Sequence, residues 1–410
     1  MRFLFVVDNL KSDCGANVNI AITLSNELRK EGHLVYAITK QNIDSLVSAE
    51  NTSAFNDVIY FEEYYYNRIM KYTRNASWKQ KNKIEKTAIY LTHPGLLKAW
   101  LEMHILGKMC LMYKKSILKI CKAKEIDALV AFSFPYFTAE IVGKTKKDIT
   151  KIVFQLDPYV YHKLLDSKDF DYRKRKAQKV FSHVNKVFVP ELLYREIEMK
   201  KELMVKDKII PFQFPGIKKN TVDETVAVKK DTNHIKFFFV GRLYDEIRNP
   251  EYVLRLWTQL PEEYELHIVG DGAENTIDKY KDLLNSRLVQ YGCLPVNKAY
   301  EIMGEADVLL IINNTIDNQL SSKIFDYINT GKPIVNICKL DNCPSLEYIN
   351  RYPLSYTIFE KMGVTEEVIN GMREFVNSSI GKRVTKEEIL NKYYDCTDEY
   401  VAKQLIDSIS

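Results

Sequence analysis

Apolar and polar positions along this chain fall into alternating blocks, and the blocks predict strands and helices in turn. Phe3 to Val7 is a short apolar run that reads as a strand, a polar loop from Asp8 to Gly15 follows, and Ile20, Leu24 and Leu28 then recur at helical spacing. Gly32 and His33 end that helix, and Leu34 to Thr39 is the next strand, which completes a βαβ unit. Further strands are predicted at Asp57 to Phe61, Ala128 to Phe132, Ile152 to Gln155 and Lys186 to Val189, separated by helical stretches such as Ile117 to Lys124 and Tyr172 to Phe181. Strands alternating with helices predict an α/β fold with parallel sheets.

Around Pro211 the pattern breaks. Pro211, Pro215 and Gly216 lead into a polar, Lys-rich segment ending near Asn233, which is linker composition. The alternation restarts with strands at Ile235 to Val240, Glu265 to Val269 and Val308 to Ile312, and a helical pattern after Ser322 buries Ile324 and Ile328. Lys386 to Ile409 reads as a closing helix with Ile389, Tyr393, Tyr400, Val401 and Leu405 as its apolar contacts. The expected division is therefore 1–215, a linker over 216–233, a second α/β domain over 234–385, and a terminal helix over 386–410. Two such domains place a ligand in the cleft between them.

Composition adds bounds rather than identity. At 410 residues, 46% apolar and 28% charged, the chain is ordinary globular material for two domains. A formal charge of +5 is small for this length and demands no nucleic-acid partner. The seven cysteines are odd in number and scattered, without a CxxC pair, so they read as reduced thiols of a cytoplasmic protein and not as a disulfide frame or zinc site. The start lacks the charged leader and long apolar core of a signal peptide, so export is not expected. Leu96 to Tyr113 is interrupted by Lys98, Glu102, His104 and Lys108, which suits an amphipathic or buried helix better than a membrane span. Residues 64–86 interleave Tyr64, Tyr65, Tyr66, Tyr72 and Trp78 with Arg68, Lys71, Arg74, Lys79, Lys81, Lys83 and Lys86, a mixture that predicts peripheral contact with an anionic membrane surface.

The chemistry gathers after the strands of the second half. Gly241, Arg242 and Leu243 follow one strand, with Arg248 just beyond; Gly270, Asp271 and Gly272 follow the next; a polar loop to Ser321, Ser322, Lys323 and Asp326 follows the third. Ligands of open parallel sheets bind beyond the carboxyl ends of the strands, so these clusters suit a phosphate and a ribose. A guanidinium is always charged and grips phosphate oxygens through paired hydrogen bonds. Arg242 and Arg248 are thus candidates for stabilising a departing diphosphate, or else partners of Asp245 or Glu246. Ser321 or Ser322 can cap the following helix, whose start can also receive an anion. Lys323 is a phosphate contact or a solvated lysine. Asp326 shares its helix face and accepts ribose hydroxyls or pairs with Lys323. In the first half, the Gly15 loop permits close backbone approach to a sugar or acceptor, and Asp157, after a strand and before Pro158, is an active-site or turn-capping carboxylate.

Taken together, Gly241-Arg-Leu with Arg248-Asn-Pro, Val269-Gly-Asp-Gly, Ala306-Asp-Val-Leu-Leu, and Ser322-Lys-Ile-Phe-Asp-Tyr ending in Gly331-Lys-Pro resemble the retaining nucleotide-sugar glycosyltransferases of the GT-B type, the family-four group. The first half matches more loosely, through the Gly15 loop, the Gly32-His33 turn and the Leu156-Asp-Pro-Tyr segment. The resemblance implies two Rossmann-like doubly wound domains facing across a cleft, an acceptor domain first and a donor domain second, with the last helix crossing back to the first. It implies that Arg242 and Arg248 hold the donor diphosphate, Arg248 standing where the family usually has lysine, and that Asp326 takes the ribose in place of a glutamate. Leu294 falls where the base is lined. Asn318 occupies the position of the family's other glutamate, which contacts the donor sugar, and an amide there supplies no negative charge.

The activity implied is transfer of a sugar from a nucleotide-diphosphate donor to a polysaccharide or lipid-linked oligosaccharide, with retention and without a metal or other cofactor. Two rivals accompany it: a nucleotide-sugar epimerase, and a non-catalytic sugar-binding or scaffolding protein for which Asn318 marks lost chemistry.

Overall fold

The apolar blocks of the first half form seven parallel strands: β1 (Arg2–Val6), β2 (Leu34–Gln41), β3 (Asp57–Glu62), β4 (Ala128–Phe132), β5 (Thr150–Phe154), β6 (Lys186–Pro190) and β7 (Ile209–Phe212), in the order β3-β2-β1-β4-β5-β6-β7. The computed structural model describes residues 1–8, 10, 16–41, 49–62, 81–94, 97, 108–133, 136–145, 148–161, 169–201, 203, 206–219 and 234–409. They divide into two units, Met1–Gln213 with Asp398–Ser410, and Phe214–Thr397. In unit 1, β4 is buried at every position, as expected of a parallel strand covered on both faces. Phe132, Phe154 and Phe188 stack in register across one face. Leu129, Ala131, Val153, Val187 and Val189 turn to the opposite one.

Strand β7 is not among the predicted strands and lies ahead of the linker expected over 216–233. Pro211 sits in register with Val189 on the outermost strand, where the N–H it lacks would have no partner.

Unit 2 repeats the plan with β8 (Ile235–Val240), β9 (Tyr264–Val269), β10 (Leu288–Gly292), β11 (Val308–Ile312), β12 (Ile334–Cys338) and β13 (Ser355–Phe359), ordered β10-β9-β8-β11-β12-β13 and all parallel. Counted from the first strand, this is the 3-2-1-4-5-6 order of a doubly wound sheet, whose direction of winding reverses between β8 and β11. Phe237 and Phe239 feed one core and Phe238 and Val240 the other, as alternation along a strand dictates. Strand β12 has a fully buried amide at its centre, satisfied on all sides: Asn336 Oδ1 accepts from Asn313 at 2.7 Å and from Ser345 at 3.2 Å, and its Nδ2 donates to Thr357 at 3.3 Å.

Two polar side chains are structural in ways the sequence did not signal. Lys332, of the Gly-Lys-Pro run, is 3% exposed and donates to the carbonyls of Met303, Gly304 and Ala306, closing the carboxyl end of the helix Val296–Gly304. Burial pulls its pKa down to about 8. His267 in β9 lies flat on Phe238 and bridges the Tyr291 hydroxyl (3.0 Å) and the Glu265 carboxylate (2.9 Å), while Glu265 also meets His234.

Burial lowers the His267 pKa despite the opposing pull of Glu265. The unfolded chain therefore takes up the proton first, so this contribution to stability is complete above about pH 6.5 and is lost as pH falls through the folded value. Urea unfolding of the wild type between pH 7 and 5 is expected to show declining stability, and His267→Gln to flatten that stretch; an unchanged slope would contradict the assignment.

The predicted single helix over Lys386–Ile409 is two helices, Lys386–Lys392 and Asp398–Asp407. Between them the carbonyl of Cys396 accepts from Gly216 and Ile217, and Thr397 bridges to Ile217, so the backbone here is spent on the incoming chain instead of on a helix. Asp398–Asp407 packs on the helix Ala16–Lys30 of unit 1. No described helix is long and apolar enough to cross a membrane.

Candidate functional site

The reversal of winding in unit 2 is where the polar clusters meet. β8 and β11 are paired only at Phe237 and Phe238, so their carboxyl ends part, and the amide of Val240 is taken instead by the buried Tyr327 hydroxyl at 2.7 Å. The exits of β8 and β9 are laced by two backbone bonds, Gly241 N–H to Val269 O and Leu243 N–H to Asp271 O, both 2.9 Å. This close approach explains Gly-Asp-Gly: a Cβ on Gly270 would stand 1.9 Å from the Gly241 carbonyl oxygen, and one on Gly272 would stand 2.1 Å from that of Leu243. Tyr244 and Arg248 then exchange both backbone bonds, 3.2 and 3.1 Å, and turn the chain back on itself. The β11 loop joins this group through Thr315 N–H to Ile247 O at 2.9 Å.

That reversal brings Arg248 beneath Gly241. Its Nη1 donates to the Arg242 carbonyl at 3.2 Å and lies 3.7 Å from where a Gly241 side chain would begin. Its Nε is buried, and among the described residues it has no hydrogen-bond partner and no carboxylate pairs with it. Burial draws its pKa below arginine's ordinary value, with the hydroxyls of Tyr244 and Tyr327 as the nearest opposing influences. A cation in this position is incompletely compensated and attracts an anion. Arg242 differs. Its side chain is 62% exposed, pairs with Asp271 at 3.4 Å, and lies over Tyr244. The partner is thus neither Asp245 nor Glu246; Asp245 instead accepts from Thr276 at 2.6 Å.

The helix Lys323–Asn329 carries the remaining polar set. Ser322 occupies its N-cap position in helical backbone geometry and makes no side-chain cap, which corrects that part of the expectation for it; the carbonyls of Ser321 and Ser322 accept from Ile324 and Phe325. Asp326 holds Lys323 at 3.0 Å through one oxygen and the Tyr300 hydroxyl at 2.9 Å through the other. The ion pair weighed in the sequence is therefore present, with Tyr300 as a partner that residue spacing gave no means to find. Next along the helix, Tyr327 anchors β8. Asn318 is buried, and Leu294 packs partly buried beside Tyr291 on the core under β10.

No known family profile matches the sequence, and no curated protein does. Solved structures do. A lipopolysaccharide outer core galactosyltransferase, WaaB, aligns over 100% of this chain and 99% of its own at 11% identity with a TM-score of 0.59. Anabaena HepE in complex with UDP aligns over 100% and 99% at 12% identity and 0.63. A glycosyltransferase from Rickettsia africae aligns over 100% and 97% at 12% identity and 0.64. The fold is GT-B.

Within this GT-B chain the other expectations fall on unit 1. Asp157 follows β5 in a turn closed by Tyr159 N–H to its carbonyl at 2.8 Å, and is partly buried. Gly15 lies outside the described residues, as do positions 64–80 of the basic aromatic stretch. Lys83 and Lys86 lie in the helix Lys83–Thr92, which opens on a reciprocal cap between Asn82 and Glu85. A cavity of about 690 Å³ lined by Met1, Asp127, Asp148, Thr150 and Asn185 opens at the amino ends of the unit 1 strands. It is at the wrong end of the sheet for the chemistry of an α/β fold.

Proposed function

We propose that this protein is a glycosyltransferase that moves a sugar from a nucleotide-diphosphate sugar, held by unit 2, to a polysaccharide or lipid-linked oligosaccharide, with retention. The observation that carries the reading is Arg248, a half-buried guanidinium with an orphaned Nε and no acidic partner among the described residues, next to the exposed Arg242. Charge develops on the departing diphosphate as the glycosidic bond breaks, and fixed cations aimed at that charge lower the barrier without reorganising. The two arginines can supply that stabilisation without a metal. Asp326 would exchange Lys323 and Tyr300 for ribose hydroxyls, Ser321, Ser322 and Lys323 would border the phosphates, Leu294 the base, and Asn318 the donor sugar. Peripheral membrane contact through 64–86 belongs to the same proposal.

Asn318 favours one second reading, a sugar-binding subunit without turnover, because an amide in that place supplies no charge. Thermal shift against UDP, GDP, CDP and ADP compounds tests donor binding, since a ligand that binds only the folded form raises its melting point. At least one compound is expected to do so. UDP comes first, given the UDP and UDP-glucose complexes of HepE. Sugar-dependent release of free nucleotide then separates enzyme from binder, and no shift with any compound would defeat both.

A further inference from the structure

The carboxyl end of the unit 1 sheet holds a second group of uncompensated polar atoms. Ser133 and Gln155 directly follow β4 and β5, and the ladder that sets Phe132 beside Phe154 continues with Ser133 N–H bonded to Phe154 O at 2.9 Å. Strand alternation turns these two side chains away from the phenylalanine stack and toward the face where Tyr136 packs. Ser133 is 5%, Gln155 1% and Tyr136 7% exposed. Ser133 Oγ, Gln155 Oε1 and the Tyr136 hydroxyl are each shielded from water and each without a hydrogen-bond partner among the described residues. Buried polar atoms left unmatched cost about 1–3 kcal/mol apiece, so two at the end of one adjacent strand pair, with a third in the turn that follows β4, point to a bound molecule. The place is also next to the winding reversal of this sheet, between β1 and β4.

The atoms also say what kind of molecule. Tyr136 stays protonated, since burial pushes its pKa well up, and so offers a donor. Gln155 Oε1 offers only lone pairs, and Ser133 offers both. A phosphate or carboxylate could accept from Tyr136 and Ser133 but would face the oxygen of Gln155. With the amide oxygen facing the pair, a hydroxyl donates to Gln155 and accepts from Tyr136 and Ser133, and so satisfies all three. Tyr136 is held in place by a parallel stack on Tyr159, with ring centres 3.6 Å apart, and the Arg173 guanidinium lies over Tyr159 and pairs with Asp169.

We infer that Ser133, Tyr136 and Gln155 form a subsite for a neutral sugar hydroxyl. That this sugar belongs to the acceptor rests on the glycosyl-transfer reading above; the hydroxyl specificity does not.

Saturation-transfer NMR on the whole chain tests it, with methyl β-glucopyranoside and methyl β-galactopyranoside as probes and glycerol 3-phosphate as the anionic counterpart. At least one glycoside is expected to receive saturation, and any saturation of glycerol 3-phosphate, which the unit 2 arginines can hold, should be the same in wild type and in both variants below. Tyr136→Phe and Gln155→Met should each weaken the glycoside about fivefold, the value of one hydrogen bond. In the free protein both variants should melt at or above the wild-type temperature, because each loses an unmatched polar atom. Three outcomes overturn the inference: no saturation of either glycoside, saturation undiminished in both variants, or melting points that fall while glycoside binding is untouched, the mark of a structural water. UDP, GDP, CDP and ADP binding is measured on the same samples. A chain that binds glycosides but no nucleotide keeps the subsite and loses the donor reading.

Discussion

Replacing Arg248 by methionine is expected to weaken nucleoside diphosphate binding by about 2–3 kcal/mol, or about 30- to 150-fold in Kd, the loss typical of a charge-assisted hydrogen-bond pair to an anion. The free protein should be no less stable. Among the described residues the Arg248 side chain has one hydrogen bond, to the Arg242 carbonyl, an unmatched Nε and no carboxylate partner, so an apolar chain of similar reach removes a desolvated charge without stranding a partner charge. Arg242→Ala provides the contrast. Its exposed pair with Asp271 contributes at most about 1 kcal/mol, so the fold should tolerate the change while sugar transfer is abolished. Calorimetric titration with the nucleotide found by thermal shift, beside melting of both free variants, reads these effects. Unchanged affinity in Arg248→Met, or retained turnover in Arg242→Ala, would remove the diphosphate clamp.

Gly270→Ala should be the most damaging single methyl in unit 2. The added Cβ meets the Gly241 carbonyl oxygen at 1.9 Å, that oxygen belongs to the backbone and the Cβ is fixed to it by one bond at Cα, and the φ of +139° is itself unfavourable for alanine. No rotamer can relieve the overlap, so one of the two strand exits must move. A loss of about 3–5 kcal/mol is expected in urea unfolding, together with loss of nucleotide binding as the Gly241–Leu243 turn shifts. Gly304→Ala is the control. Nothing lies within 4 Å of the added carbon, and its stability should stay within about 1 kcal/mol of wild type. Equal stability of the two variants would show that the lacing of β8 to β9 does not depend on glycine.

Legibility in the sequence followed the strength of each local signal. β4 coincides with its predicted limits because five apolar residues in a row between polar flanks admit one reading. β10 and β13 escaped notice because they are only partly buried and mix polar with apolar residues. β12 escaped because Asn336 interrupts its apolar run, although three side chains from elsewhere in the sequence make that amide a good core residue. The fold class was legible all the same, since it depends on alternation summed over many elements, and the loss of a few leaves the pattern intact.

At the site, the sequence by itself determined which strand ends carry arginine, glycine, serine and carboxylate. It determined this because α/β order places every loop after a parallel strand at one end of the sheet. Only the tertiary structure decided how those residues differ from one another. Arg242 and Arg248 look alike as letters, yet one pairs in the open with Asp271 and the other is half-buried and unmatched. Pairing and desolvation depend on distances between segments that the chain order does not contain: Asp271 lies on another loop, and Tyr300 and Tyr327 are well separated along the chain from Asp326 and Val240, which they meet. Likewise, Ser133, Tyr136 and Gln155 become a group only when β4 and β5 lie side by side.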